Sequence, residues 1–252
     1  MALFLRRGTL QVPNFLKLSS RSVHYDYFSP EKANVEEIWG FLADQKICPK
    51  GDTAFGALGI TPDHPGVKER VVSLIQKATA GNYSAHGRDQ GSKALVGVRL
   101  CRPTTLEEYE ACVEKLEKEI QEFKEAEDEQ MAKKLTVDLW AKQELLRTER
   151  ALGIFGQKKK ILSLDELLVH RGYKWMGVEM KLNRITLIRG KERGLEVAVV
   201  PATSRESQHL YDKLGMKVVV DIPFKDMKDD KGSPLVKPVN STKNYRVYMV
   251  DL

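Results

Sequence analysis

With 252 residues, 42% of them hydrophobic and 8% aromatic, the chain can fill a sizeable core, which excludes a wholly disordered protein. Its charged fraction of 30%, with no apolar run near the ~18 residues of a spanning helix, excludes a multi-span membrane protein. The net charge of +6 points to an anionic partner, whether nucleic acid, a membrane surface or a phosphorylated ligand. The three cysteines (Cys48, Cys101, Cys112) form no CxxC pair and no metal spacing, so reduced thiols and an intracellular setting are expected. The five histidines show no metal spacing either, and no metal is assigned.

No acidic residue precedes Asp26, while Arg6, Arg7, Lys17 and Arg21 do. Residues 1–22 therefore have the composition of a mitochondrial transit peptide, or of a disordered leader, since Pro13 would break a long helix. No continuous apolar stretch follows the charges, so the leader is not secretory. Residues 23–252 are expected to form one domain, cytoplasmic or mitochondrial.

Alternation over 23–28 predicts a first strand. Ser29 and Pro30 then predict a helix start, carried by Val35, Ile38, Trp39 and Leu42. A second helix is expected over 67–80, stopped by Gly81-Asn82. Strands over 83–89 and 94–101 are joined by Gln90-Gly91-Ser92, a hairpin signal. From Thr104 the composition shifts. Leu106, Tyr109, Val113, Leu116, Ile120 and Phe123 recur at steps of three and four, and residues 107–134 hold eleven acids against five bases. This predicts a charged amphipathic helical insertion over 104–150, laid on the domain surface, with a dimer contact as the alternative. An apolar strand over 161–170 is interrupted by Asp165-Glu166. A helix over 177–189, a strand over 196–202, a short helix over 204–214 and a strand over 216–222 follow. A polar loop over 223–244 leads to a last strand over 245–251. The order predicts an α/β domain with a mixed central sheet flanked by helices.

The turn Arg171-Gly-Tyr-Lys-Trp-Met-Gly177 joins a strand to a helix start, the arrangement that offers backbone N–H groups to an anion. Downstream, Ala202-Thr-Ser-Arg-Glu-Ser207 and Leu210-Tyr-Asp-Lys-Leu-Gly-Met216 follow a buried-looking strand in fixed order. That string resembles the C-terminal half of the GNAT superfamily of N-acetyltransferases. Tyr173-Lys-Trp-Met-Gly-Val178 looks like that family's acetyl-CoA motif, and Asp52-Thr-Ala-Phe-Gly-Ala-Leu-Gly59 is similar to the arylalkylamine N-acetyltransferase-like branch. The resemblance implies the GNAT acyl-CoA N-acyltransferase fold and transfer of an acetyl group from acetyl-CoA to a small primary amine, arylalkylamine-like or polyamine.

By position, the resemblance makes Asp52 the catalytic carboxylate and Tyr211 the acid that reprotonates the departing thiolate, with Thr203, Ser204 and Ser207 near the thioester. Amides near Leu168 and Val169 would hold pantetheine, and Lys174, Trp175, Met176, Gly177 and Val178 would cradle the pyrophosphate. Each has a plainer reading: Asp52 as a turn residue or helix cap, Tyr211 as core, Ser204 as an N-cap with Ser207 on its first turn. Three positions depart from the family pattern. Trp175 stands for its first glycine, Glu179 for a small residue, and Lys174 for an arginine. Either acetyl-CoA binds weakly, or its pyrophosphate sits differently, or the chain is a catalytically impaired CoA-binding or interaction module. Nucleic acid and membrane partners are not expected, because aromatics are not interleaved with the bases. A monomer and a homodimer both remain open.

Overall fold

The computed structural model describes residues 22–31, 33–45, 60–229, 232–236 and 242–252. The leader (1–21), Cys48 and Asp52 lie outside the described residues. Seven strands form one mixed sheet: β1 (Val23–Tyr27), β2 (Ala85–Asp89), β3 (Leu95–Thr104), β4 (Ile161–Val169), β5 (Val197–Ala202), β6 (Lys217–Pro223) and β7 (Asn244–Asp251). Their spatial order is β1-β2-β3-β4-β5-β7-β6. The neighbours pair antiparallel except β4 and β5, which run parallel. The α/β architecture expected from the element order is therefore present.

Helices cover both faces. On one, α1 (Val35–Asp44) and α2 (Val67–Ala80) bury Ile38, Leu42, Val71 and Ile75 against Val98 and Leu100 of β3. Beside them α3 (Leu106–Glu125) and α4 (Glu129–Leu152) meet, and Val137, Ala141 and Leu145 of α4 pack on Ile161, Val197 and Val199. On the other face lie α5 (Val178–Glu192) and α6 (Arg205–Lys213), covering Leu162, Ala198 and Val200.

Two boundaries differ from expectation for local reasons. The first helix begins after Asn34, whose side chain accepts from the Glu37 amide at 3.1 Å, while Ser29 and Pro30 belong to the turn before it. The charged stretch is a helical hairpin. Thr105 opens α3 with a capping box, Glu127 adopts φ +57°, and Asp128 caps α4 by accepting from the Met131 amide at 3.0 Å. The contacts Glu117–Gln143 and Glu110–Arg150 fix the two helices antiparallel. α4 packs on the sheet along its length, while α3 joins that core at its start through Tyr109 and otherwise rests on α4, through Leu116 and Ile120 against Leu135.

One irregularity shapes the centre of the sheet. β4 pairs with β5 only from Ile161 to Ser163, opposite Val197 to Val199. On its other side Leu100 opposes Glu166 and Cys101 opposes Leu164, so Asp165 is an extra, bulged residue. Beyond it β4 follows β3 and β5 follows β7, and the two parallel strands part. The strand expected to break at Asp165-Glu166 is continuous, and the acids mark the bulge instead.

Candidate active site

The parted strands open into a cavity of about 540 Å³. Its walls are β4 from Asp165 to Val169, Lys134 and Asp138 of α4, the Lys174–Gly177 side of the turn, and α6 through Tyr211.

The β4 wall carries backbone groups that have no partner among the described residues. His170 donates its amide to the Val96 carbonyl at 2.8 Å. Alternation in an antiparallel pair then turns Leu168 toward β3 and leaves the N–H and C=O of Leu167 and Val169 on the open edge. Of the two amides expected to face a ligand, Val169 is on that edge and Leu168 is spent on β3, with Leu167 taking its place. Leu168 contributes its side chain to the wall.

Side chains on the two faces of this edge differ in character. Leu168 packs toward α1 and α2, and Glu166, two residues earlier, shares its face, with Lys134 and Asp138 of α4 nearby. Asp165 is held by Arg102 at 3.0 Å and by the Ser163 hydroxyl at 2.8 Å, and Asp138 pairs with Lys134. Glu166 has no such ion pair among the described residues. Burial, opposed first by Lys134, pushes its carboxyl up to about 7. A carboxyl poised there exchanges a proton at neutral pH, as a general base must. The only trace of it in the sequence is an acid inside an apolar strand.

On the opposite face Arg99, cross-strand from Leu167, reaches Tyr211 of α6, its Nη1 donating to the phenolic oxygen at a long 3.4 Å. Arg99 is 1% exposed and Tyr211 2%. Burial pushes the phenol up from its ordinary value and Arg99 pulls it back. Cys101, next on this face, is buried; burial raises its thiol to about 12, so it stays protonated and is no nucleophile.

The turn before α5 has the backbone of a glycine-rich loop. Gly177 caps α5 at φ +75° and Trp175 adopts φ +70°, both left-handed. A tryptophan therefore holds a conformation that suits glycine, the residue the sequence resemblance would place there, and it does so by pointing outward, 94% exposed. The first amides of α5 have no acceptor within the helix. Close approach of α5 to the sheet depends on Gly97 of β3, where a Cβ would stand 2.9 Å from Leu182 and 3.0 Å from Val178. His170, at the strand end, accepts the Gly172 amide on Nδ1 at 3.0 Å and caps the turn.

The residues expected from the sequence fall into groups. Leu168, Val169, Lys174, Trp175, Gly177, Thr203, Ser204, Ser207 and Tyr211 all line the cavity. Met176 does not; it is exposed on the turn, and Val178 is buried in the core behind it. Ser204 and Ser207 form a capping box on α6, Ser204 accepting from the Ser207 amide at 3.1 Å and Ser207 accepting from the Ser204 amide at 3.2 Å. Their hydroxyls are thereby committed to the helix start. Glu179 lines the cavity from the first turn of α5.

Neither a family model nor a curated protein sequence matches the chain. Solved structures do. A mosquito arylalkylamine N-acetyltransferase-like protein, 5b, superposes with TM-score 0.72 at 18% identity over 92% of this chain and 100% of its own. Arylalkylamine N-acetyltransferase 2 from Aedes aegypti gives 0.72 at 18%, over 91% and 98%. The Drosophila melanogaster polyamine N-acetyltransferase, which catalyses formation of N-acetylagmatine, gives 0.69 at 15%, over 92% and 100%.

The fold is that of the GNAT N-acetyltransferases. At these identities the likeness carries the arrangement of strands and helices, and the chemistry has to be argued from the residues in the cavity. No helix among the described residues is long and apolar enough to cross a membrane.

Proposed function

We propose that this protein is an acyltransferase that moves an acetyl group from acetyl-CoA to a small primary amine. The observation that carries the reading is the cavity between the parted β4 and β5, with a near-neutral carboxyl on one face and a buried phenol on the other. Acetyl-CoA, as the second substrate, would supply the activated acyl group. The open edge of β4 suits an extended amide-bearing chain, since Leu167 and Val169 offer both donors and acceptors there. Those amides, fixed by the sheet, also face the place where negative charge develops on an acyl oxygen. Lys174 and the free amides of α5 would hold the diphosphate.

Glu166 takes the proton of the attacking amine in this reading, and Tyr211 gives one to the leaving sulfur. Acid and base then work from opposite faces of the sheet through the same gap. Thr203 completes the wall next to α6, and Ser204 and Ser207 hold that helix in place. Asp52, which the sequence resemblance would make the catalytic carboxylate, lies outside the described residues and remains a second proposal for that base. The amine is arylalkylamine-like or polyamine in class, the substrate classes named for the proteins of like fold above, and it attacks acetyl-CoA directly in a ternary complex.

A second reading has one observation in its favour. Glu179 places a carboxylate on the first turn of α5, where a diphosphate would sit, which suits a chain that binds CoA weakly and no longer turns it over. Calorimetric titration with acetyl-CoA separates the proposals from a fold without this ligand: saturable binding is expected, and no heat at millimolar ligand would overturn both.

A further inference from the structure

Arg99 is among the largest fully buried side chains of the described residues, and its surroundings are unusual for a guanidinium. A guanidinium is a charged group, and a buried charge is costly unless paired. Yet its Nη1 meets a phenol, and Nε and Nη2 have no hydrogen-bond partner among the described residues. Stability alone does not account for such a residue in the middle of β3.

The phenol it meets is unusual in turn. Tyr248, whose ring lies 5.6 Å away, donates its hydroxyl to Asp212 at 3.0 Å. Tyr173 donates to Asp89 at 2.7 Å, and Tyr27 to the Ile185 carbonyl at 3.0 Å. Tyr211 accepts instead. Arg99 occupies a lone pair of its oxygen, so the phenolic hydrogen is left for an acceptor in the cavity.

We infer that Arg99 is a positioning residue for Tyr211: it orients the phenol to give its proton into the cleft and supplies the fixed positive charge that the resulting phenolate needs. The inference rests on the acetyl-transfer reading above. In the step concerned, the Tyr211 O–H bond breaks, an S–H bond forms on the leaving sulfur, and the electron pair left on oxygen sits beside Arg99. The proton that Glu166 removed from the amine restores the phenol through water in the cavity. The net change is amine and thioester to amide and thiol. Besides Arg99, the groups that act on this phenol are Cys101 of β3 and Glu166 of β4, neither of them positive, while Lys134, Lys174 and Lys213 line the wider cavity from α4, the turn and α6. A guanidinium already in place requires no reorganisation when the charge appears.

The test has two arms. The first replaces Tyr211 with a fluorinated tyrosine, whose phenol titrates in a convenient range, and follows its absorbance without substrate. Arg99→Met should move that titration to higher pH and Arg99→Lys should largely restore it. The second measures kcat of Arg99→Met in the wild-type and Tyr211→Phe backgrounds. A loss of roughly ten- to a hundredfold is expected in the first, the scale of an impaired general acid, and little further loss in the second. The melting temperature of Arg99→Met should be unchanged or higher, because a buried charge with two unpaired groups has been removed. Should Arg99→Met not fold, Arg99→Gln keeps a donor without the charge and carries the same expectations. An unmoved titration, or an Arg99 effect of equal size without the Tyr211 hydroxyl, overturns the inference. A titration that shifts as expected in a protein releasing no thiol supports the Arg99–Tyr211 coupling and defeats the acetyl-transfer reading instead.

Discussion

Replacing Glu166 with glutamine removes the proton acceptor while keeping its shape, and the consequences have opposite signs for stability and rate. The carboxyl titrates at about 7 in the fold against 4.5 in an unstructured chain, chiefly because burial disfavours the ionised form. At about 1.36 kcal/mol per pKa unit this amounts to roughly 3 kcal/mol, an upper figure because the carboxyl borders a cavity that water can enter. The folded value is raised, so the wild type has its full stability below pH 4.5 and loses this amount as pH rises through 7. Glu166→Gln should match the wild type near pH 4 and exceed it above pH 8, by roughly 6–10 °C in melting temperature for a domain of this size. Its acetyl-transfer rate should fall by roughly a hundredfold or more, with loss of the acidic limb near pH 7. Thermal melts at several pH values and a pH–rate profile check both. A stability difference that does not change with pH, or a glutamine variant with the wild-type rate profile, would refute the assignment of this carboxyl.

Other substitutions probe the frame around it. Gly97→Ala places a methyl against Leu182 and Val178, so α5 must retreat from β3; a loss of about 1–3 kcal/mol by chemical denaturation is expected, with weaker acetyl-CoA binding by calorimetry. Trp175→Gly relieves a left-handed backbone without removing any packing, and should raise stability by about 1 kcal/mol in the same melts. Glu179→Ala takes a negative charge from the start of α5, and should tighten acetyl-CoA binding roughly three- to tenfold at low salt, less at high salt. Asn34→Ala removes the cap of α1 and should cost about 1 kcal/mol without changing kcat.

The outer parts of this fold are legible in the sequence because they obey simple periods. β5, α6 and β6 fall within a residue of where apolar spacing places them, α5 starts within one residue and runs three further, and the string from Ala202 to Met216 carries a recognisable order. The turn at Gly177 is legible too, although Trp175 conceals how glycine-like its backbone is. What the sequence hides depends on register and on which layer covers a face. Glu166 reads as an interruption of an apolar strand until the bulge at Asp165 turns it into the cavity wall. Arg99 carries no signal in the sequence beyond being a base within a strand; its burial beside Tyr211 becomes visible only once α5 and α6 cover that face. The break between α3 and α4 is lost in a run of acids, where Asp128 looks like its neighbours but caps a helix and holds His64 at 2.9 Å.

The net charge of +6 narrows to particular places once the cavity is known. In the proposed reading Lys174, at the turn, bears on the diphosphate, while Arg99, buried beside Tyr211, acts inside the protein. The measurement that tests the central claim most directly is thiol release from acetyl-CoA by the purified protein, with and without primary amines, from pH 5 to 9. The account predicts amine-dependent release whose rate rises with pH through an apparent pKa near 7, the value at which Glu166 ionises. Release no faster than buffer with every amine, from a protein that binds acetyl-CoA, would contradict it.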